Sequence, residues 1–186
     1  GVEKVEPDTT CFAFVGDSTF FASAITGVVN AVYNQANMVL VVLDNSTTAM
    51  TGHQPHPGTG RTVMGEIVQK INIEQVLRGI GVTEVETVNP LELEASVLCV
   101  QKMAKKPGVK AIIFKSPCIA VTRPDAPLHV NPDNCIGCKK CILELGCPSI
   151  VLDQGKVCID SSMCTGCGLC SQVCPVHAIT GGASHE

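Results

Sequence analysis

"MVLVVLDNSTTAMTGHQPHPGTG", Met38 to Gly60, is the stretch on which the fold turns. The aliphatic run Met38–Leu43 is unbroken, then gives way at once to Asp, Asn, Ser, Thr, His and Gly. Such a run, bounded by turn formers, reads as a strand buried on both faces, the habit of parallel sheets. The polar loop behind it then lies at the strand's carboxyl end, where parallel α/β sheets hold their ligands.

Working outward, "CFAFVG" (11–16) reads as a second short buried strand. After it Phe21, Ile25, Val28, Val29 and Val32 recur at helical spacing, with Ser18 placed as an N-cap. "IEQVLRGI" (73–80) reads as a helix closed by Gly81, and "EVETV" (84–88) as a strand. "PLELEASVLCVQKMAKK" (90–106) opens with Pro and ends in Lys, as helices do, and "VKAIIFK" (109–115) is a further strand. This alternation predicts an α/β domain over 1–120, a parallel sheet with helices on both faces. The Pro-rich stretch 121–134 reads as a linker, a cysteine-rich domain follows over 135–180, and 181–186 is a tail.

Composition narrows the function. A formal charge of −4 and a pI near 5.7 argue against nucleic acid or an anionic membrane as partner. The longest aliphatic run is far short of the ~20 residues a membrane span needs. The N-terminal "GVEKVEPDTTC" has no signal-peptide pattern, and the expected compartment is a reducing cytoplasm. The chain starts without Met close to a strand, so it reads as a processed piece or a segment of something longer.

Of twelve cysteines, nine lie between 135 and 174. Their spacing is Cys135-x-x-Cys138-x-x-Cys141, then Cys147-Pro, followed by Cys164-x-x-Cys167-x-x-Cys170, then Cys174-Pro. Each triplet wraps three corners of a cubane, and each Cys-Pro points to the cluster of the other repeat, the bacterial ferredoxin device. One [4Fe–4S] cluster is therefore assigned to Cys135, Cys138, Cys141 and Cys174. The other falls to Cys164, Cys167, Cys170 and Cys147. Amides of Gly137, Gly166 and Gly168 are placed to approach the sulfides. Structural zinc favours pairs of C-x-x-C over such triplets. Cys158, in "GKVCID", falls outside the pattern and reads as a buried thiol on a hairpin strand.

In a parallel sheet the ends of both strands meet on one edge, which joins Asp17 of "FVGDS" to Asn45 of "LDNSTT". An Asp carboxylate, an Asn amide oxygen and the Thr47 carbonyl supply half an octahedron of hard oxygens, a donor set that suits Mg²⁺. The helix start after Gly16-Asp17 offers amides to an anion, and Ser18, Thr47 and Thr48 offer hydroxyls. Together they read as a metal–diphosphate site.

These residues carry a resemblance. GDS at 16–18 and LDN at 43–45 resemble the thiamine diphosphate motif, and "LDNSTTAMTGHQPHPGTG" is similar to the indolepyruvate ferredoxin oxidoreductase alpha subunit, as is the gap before Cys147. The resemblance implies that Asp17, Asn45 and the Thr47 carbonyl hold Mg²⁺, and that the 48–54 loop lies near the thiazolium ring. It implies that Met50 sits where a bulky apolar residue bends the cofactor. It further implies oxidative decarboxylation of 2-oxoacids, aromatic ones by preference, with coenzyme A as co-substrate and ferredoxin as acceptor. The implied partners are a beta subunit and a pyrimidine-binding domain or subunit that this stretch lacks, so the stretch alone should be inactive. The family carries His after GDSTFF where this chain has Ala22, which bears on turnover or substrate choice.

The active-site candidates within the loop are His53 and Gln54. His56 reads as a solvent-loop residue, His129, His177 and His185 as surface residues, and Arg61 as a solvated cation. Three rival functions remain: another 2-oxoacid ferredoxin oxidoreductase, an electron-transfer module without its own catalysis, which would not need "GDS…LDNSTT", and a non-oxidative thiamine decarboxylase, which would not need eight ligand cysteines.

Overall fold

The computed structural model describes residues 2–6 and 8–181, so His185 and most of the expected tail lie outside the described residues. The chain divides into two compact units, Gly1–Val121 and Thr122–Glu186.

After a short helix α1 (Val2–Val5), the first unit is built on strands β1 (Cys11–Gly16), β2 (Met38–Asp44), β3 (Glu84–Val88) and β4 (Val109–Lys115). All pair in parallel, in the order β1-β2-β4-β3, so the four carboxyl ends share one edge. Side-chain alternation on the two central strands divides the core. Leu40, Val42, Ala111 and Ile113 face one side, where Val28 of α3 (Ile25–Tyr33) and Ile73 and Leu77 of α4 (Ile73–Ile80) cover them. Val39, Val41 and Ile112 face the other, against Cys99 and Met103 of α5 (Leu93–Lys105). Burying each such aliphatic side chain contributes about 1.5–3 kcal/mol, which is why the continuous apolar run lands in the centre. The fold is thus a parallel α/β sheet with helices on both faces.

Two local expectations are corrected. β1 is an edge strand, half-buried on alternate residues and exposed on the others, with Phe14 68% exposed. Ser18 is not an N-cap: the helical run begins two residues earlier than that reading implies, with α2 (Asp17–Thr19), capped by Gly16 with no side-chain bond. A π-helical turn, Phe20–Ala24, then carries the chain into α3. That turn seats Phe20 fully in the core and leaves Ala22 exposed. Gly81 does close α4, in the left-handed region at φ 108°.

The second unit is small and ferredoxin-like. β5 (Leu128–Val130) pairs antiparallel with β8 (Ile179–Gly181), and β6 (Ile150–Asp153) pairs with β7 (Lys156–Ile159). Helices α6 (Lys140–Leu145) and α7 (Leu169–Val173) each begin at the third cysteine of a triplet or one residue away. The stretch 121–134 read as a linker is partly ordered into this unit, because β5 needs β8 to satisfy its main chain. No helix among the described residues is long and apolar enough to cross a membrane.

Candidate functional site

Asp17 ends up 3% exposed at the carboxyl edge of the sheet. Its Oδ1 accepts the Ser18 amide at 2.7 Å, and its Oδ2 accepts the Ser46 amide, 29 positions on, at 2.8 Å. The two segments read as partners are therefore joined by a main-chain donor on a side-chain acceptor. Burial raises the Asp17 carboxyl above its ordinary value, the Ser18 amide opposes that, and nearby Asp44 reinforces it.

The loop after β2 is closed by its own side chains. Asp44 Oδ1 accepts the Ser46 amide at 3.0 Å, and Asn45 Oδ1 accepts the Thr47 amide at 3.1 Å. Ser46 adopts φ +62°, which turns the chain sharply toward Asp17. The loop is also tied to the end of β4: Ser116 N donates to Asp44 O at 3.0 Å, and Cys118 N donates to Asn45 O at 2.9 Å. Thr48 Oγ1 donates to Ser18 Oγ at 2.9 Å, so the hydroxyls read as diphosphate donors stand together. Thr47 is buried beside them.

The remaining residues read from the sequence lie further out. Met50 is 102% exposed on the turn Ala49–Thr51. His53 and Gln54 are exposed, with Gln54 bonded to Thr51 through both side-chain and main-chain groups. Arg61 is exposed, its Nε donating to Gly65 O at 3.3 Å.

His56 is a correction. It is not a solvent-loop residue but 8% exposed, with Nε2 3.1 Å from Asp17 Oδ2 and its ring tilted against Phe21 at 5.7 Å. Local pattern could not reveal this, because residues 52–72 have neither helical nor strand period. The one available signal was its position between Pro55 and Pro57, which fix the backbone on either side.

A cavity of about 350 Å³ opens beside this edge, lined among others by Asp44, His56, Lys70, Asn72, Glu74 and Lys115.

In the second unit the cysteines gather as two sets of four. Cys147, Cys164, Cys167 and Cys170 line one cavity of about 110 Å³; Cys135, Cys138, Cys141 and Cys174 line another of about 20 Å³. Each set takes three thiols from one repeat and one from the other. Burial, then the charges of Cys167, Cys164 and Cys147, push the Cys170 thiol up to about 11. Burial likewise raises Cys141, with Cys174 and Cys138 as its charged neighbours. Thiols so arranged become good thiolates only when something positive fills the space between them. Among the described residues no three His, Cys, Asp or Glu converge on the point that a single ion would occupy.

The two repeats share their approach to the first cysteine. Asn131 Oδ1 accepts the Asp133 amide at 2.9 Å, and Asp160 Oδ1 accepts the Ser162 amide at 2.9 Å. The Asn131 and Asp160 carbonyls then receive the Cys135 and Cys164 amides at 3.1 and 3.0 Å. Ala178 N and Leu128 N point at sulfur, at 3.2 Å from Cys174 Sγ and 3.5 Å from Cys164 Sγ. Gly137, Gly166 and Gly168 adopt positive φ within the triplets. Cys158 is half-buried on β7 opposite Val151, more open than its reading as a buried thiol.

Comparison with known proteins adds three findings. Residues 1–114 match the thiamine pyrophosphate enzyme, C-terminal TPP binding domain, and residues 157–180 match the 4Fe-4S binding domain. The chain is 42% identical over 173 residues to the indolepyruvate oxidoreductase subunit IorA of Archaeoglobus fulgidus, covering 90% of this chain and 28% of that protein. It is 43% identical over 169 residues to the same subunit of Methanothermobacter thermautotrophicus, covering 90% and 27%. Among solved structures, a 2-oxoglutarate:ferredoxin oxidoreductase from Magnetococcus marinus superposes with a TM-score of 0.57 at 20% identity, over 63% of this chain and 43% of that one. The chain thus spans little more than a quarter of the length of these curated relatives.

Proposed function

The chain belongs to the thiamine pyrophosphate enzymes, carrying their C-terminal TPP binding domain beside a 4Fe-4S binding domain, and from that premise we propose that it is part of a 2-oxoacid:ferredoxin oxidoreductase acting on indolepyruvate or a related arylpyruvate. Thiamine diphosphate, when bound, supplies the carbanion chemistry that lets a 2-oxoacid lose CO₂, and iron–sulfur clusters carry the released electrons one at a time. The chain's residues bind and orient. Asp17, Asn45 and the Thr47 carbonyl hold Mg²⁺, a hard-oxygen donor set of the kind that ion takes alongside phosphate and water. Gly16 opens a helix whose first free amides would be available to the diphosphate, and the Ser18 and Thr48 hydroxyls would donate to it. Met50, His53 and Gln54 are the loop residues available to the reactive end of the cofactor.

Cys135, Cys138, Cys141 and Cys174 hold one [4Fe–4S] cluster; Cys164, Cys167, Cys170 and Cys147 hold the other. Coenzyme A accepts the acyl group, ferredoxin accepts the electrons, and a pyrimidine-binding partner and a beta subunit complete the enzyme. We divide the chain functionally at 1–120 and 135–180, with 121–134 between. The observation that carries this reading is the pairing of Asp17 with the 44–48 loop on one sheet edge, in a chain that also holds two four-thiol cavities.

The test is dye reduction by the complete protein in its native assembly, purified without oxygen and supplied with thiamine diphosphate, Mg²⁺ and coenzyme A. Coenzyme-A-dependent reduction of a viologen, faster with indolepyruvate than with pyruvate, is expected. Asp17→Asn should abolish it. No reduction with any 2-oxoacid, despite intact clusters, would leave an electron-transfer module and sink the proposal.

A further inference from the structure

His56 is held at more points than its exposed loop requires. Its amide donates to Thr59 Oγ1 at 3.3 Å, and its carbonyl accepts from the Thr59 amide and hydroxyl, both at 2.8 Å. On the ring, the Gly58 amide donates to Nδ1 at 3.1 Å. A backbone N–H can only donate, so Nδ1 is the unprotonated nitrogen and the proton resides on Nε2. The contact of Nε2 with Asp17 Oδ2 at 3.1 Å is then a hydrogen bond from a neutral ring to a carboxylate. Any Cβ at residue 58 would lie 3.0 Å from both His56 Cε1 and Phe21 Cε2, so glycine there is what lets the amide come this close.

The bonds to Asp17 are unevenly shared. Oδ2 receives two donors, the Ser46 amide and His56 Nε2; Oδ1 receives one, the Ser18 amide. With about two acceptor directions on each carboxylate oxygen, Oδ2 is filled and Oδ1 retains a direction for a further partner. We propose that His56 is the positioning residue of the metal–diphosphate site: by occupying Oδ2 it fixes the rotation of the Asp17 carboxylate and leaves Oδ1 for the cation. This rests on the reading of Asp17 as a Mg²⁺ ligand. Outer-sphere partners of this kind govern metal affinity without touching the metal.

The experiment uses the complete protein in its native assembly, stripped of divalent metal and thiamine diphosphate. Mn²⁺ is titrated in the presence of added thiamine diphosphate and free Mn²⁺ is read by EPR, with the melting midpoint and cluster absorbance of each metal-free variant recorded. His56→Leu, which keeps bulk but has no donor, should weaken Mn²⁺ binding by about 10–100-fold. His56→Gln, which returns an N–H near the Nε2 position, should recover most of that loss at the same melting midpoint.

Two failures are distinguishable. Wild-type Mn²⁺ affinity in Asp17→Asn overturns the site reading itself. Wild-type affinity in His56→Leu, when Asp17→Asn has lost it, overturns the role of His56 alone. Equal loss in the Gln and Leu variants also overturns it, since a filled space rather than the N–H would then be what matters. If His56→Leu does not assemble, the flexible His56→Met takes its place. If neither assembles, His56→Gln against wild type decides: retained affinity supports the proposal and lost affinity overturns it.

Discussion

Adding one methyl group at Gly166 should empty one cluster site and spare the other, while the same change at Gly137 should cost stability alone. The two glycines hold equivalent places in the two triplets, at φ +76° and +66°. Alanine at either must enter the left-handed region at about 1–2 kcal/mol. Their surroundings differ. A Cβ on Gly137 meets nothing within 4 Å, whereas one on Gly166 would lie 2.6 Å from Asp125 Cβ, 2.7 Å from Ala126 O and 2.9 Å from Asp125 C. Non-bonded carbons prefer about 3.5–4.0 Å, so relief demands a main-chain shift of nearly 1 Å. That shift also loosens the Asp125 N to Thr165 O bond, 3.1 Å in the intact loop. Overpacking adds about 1–3 kcal/mol, for a total of about 2–5 kcal/mol at Gly166 against about 1–2 kcal/mol at Gly137. The assay is iron and sulfide content with EPR of the dithionite-reduced protein. Gly166→Ala should lose one cluster's share of iron, and Gly137→Ala should keep both clusters with a lowered melting midpoint. Full iron in Gly166→Ala, at the midpoint of Gly137→Ala, would refute the steric reasoning.

Three further predictions concern the same chain. Lys139 sits at φ +60° where the second repeat has Gly168 at φ +76°, so Lys139→Gly should stabilise the second unit by about 1 kcal/mol, or roughly 4–8 °C in melting midpoint; an unchanged or lower midpoint would contradict it. The Ser162 hydroxyl and amide lower the Asp160 carboxyl below its ordinary 3.8. A depressed folded-state value means stability present above the unfolded value and lost as pH falls through the folded one; Asp160→Asn should keep the turn, as Asn131 does in the first repeat, but flatten that acid limb in melts against pH, whereas Asp160→Ala should lower the midpoint at all pH. Lys110 is 1% exposed, its Nζ donating to Asn37 Oδ1 at 2.5 Å and Gly108 O at 3.0 Å. Asn37→Leu strips a buried ammonium of an acceptor and should cost about 1.5–3 kcal/mol, while Lys110→Met removes the charge itself and should cost less; denaturant midpoints in the reverse order would count against this.

What could be read in advance was whatever a period or a spacing encodes. The six apolar residues at 38–43 and the five among 109–115 announced buried strands because such runs have few other homes, and parallel pairing then put Asp17 and Ser46 on one edge. The cysteine spacing likewise anticipated which four thiols share each cavity. The edge position of β1 escaped, because "CFAFVG" has apolar residues on both faces and only the strand order decides that β1 lies at the edge, with Phe12 and Phe14 exposed. The π-helical turn escaped because it keeps the chain helical while shifting the face by one residue. His56 escaped for a deeper reason: its partner is 39 positions away and reaches it through a loop with no repeating pattern.

Turn chemistry alone would not have singled out the candidate site. Asp44, Asn45, Asn131 and Asp160 each close a turn on the amide two residues later, yet so does Asn89 after β3, on the Leu91 amide at 3.1 Å. Such turns shape the main chain without help from a ligand and so reduce the ordering cost of binding one. What separates the loop after β2 is that Ser46 spends its amide twice, on Asp44 and on Asp17. The same buried carboxylate then gathers a further donor from His56. An acid raised by burial and approached by three donors, none of them an ordinary cation, is electrostatically incomplete in a way that a divalent ion with its diphosphate would complete. By that reasoning, Asp17→Asn should destroy Mn²⁺ binding, and because its NH₂ group must face at least one of the three N–H donors it should also lower the stability of the metal-free assembly. Wild-type Mn²⁺ affinity in that variant would show that the carboxylate is retained for the fold and not for the ion.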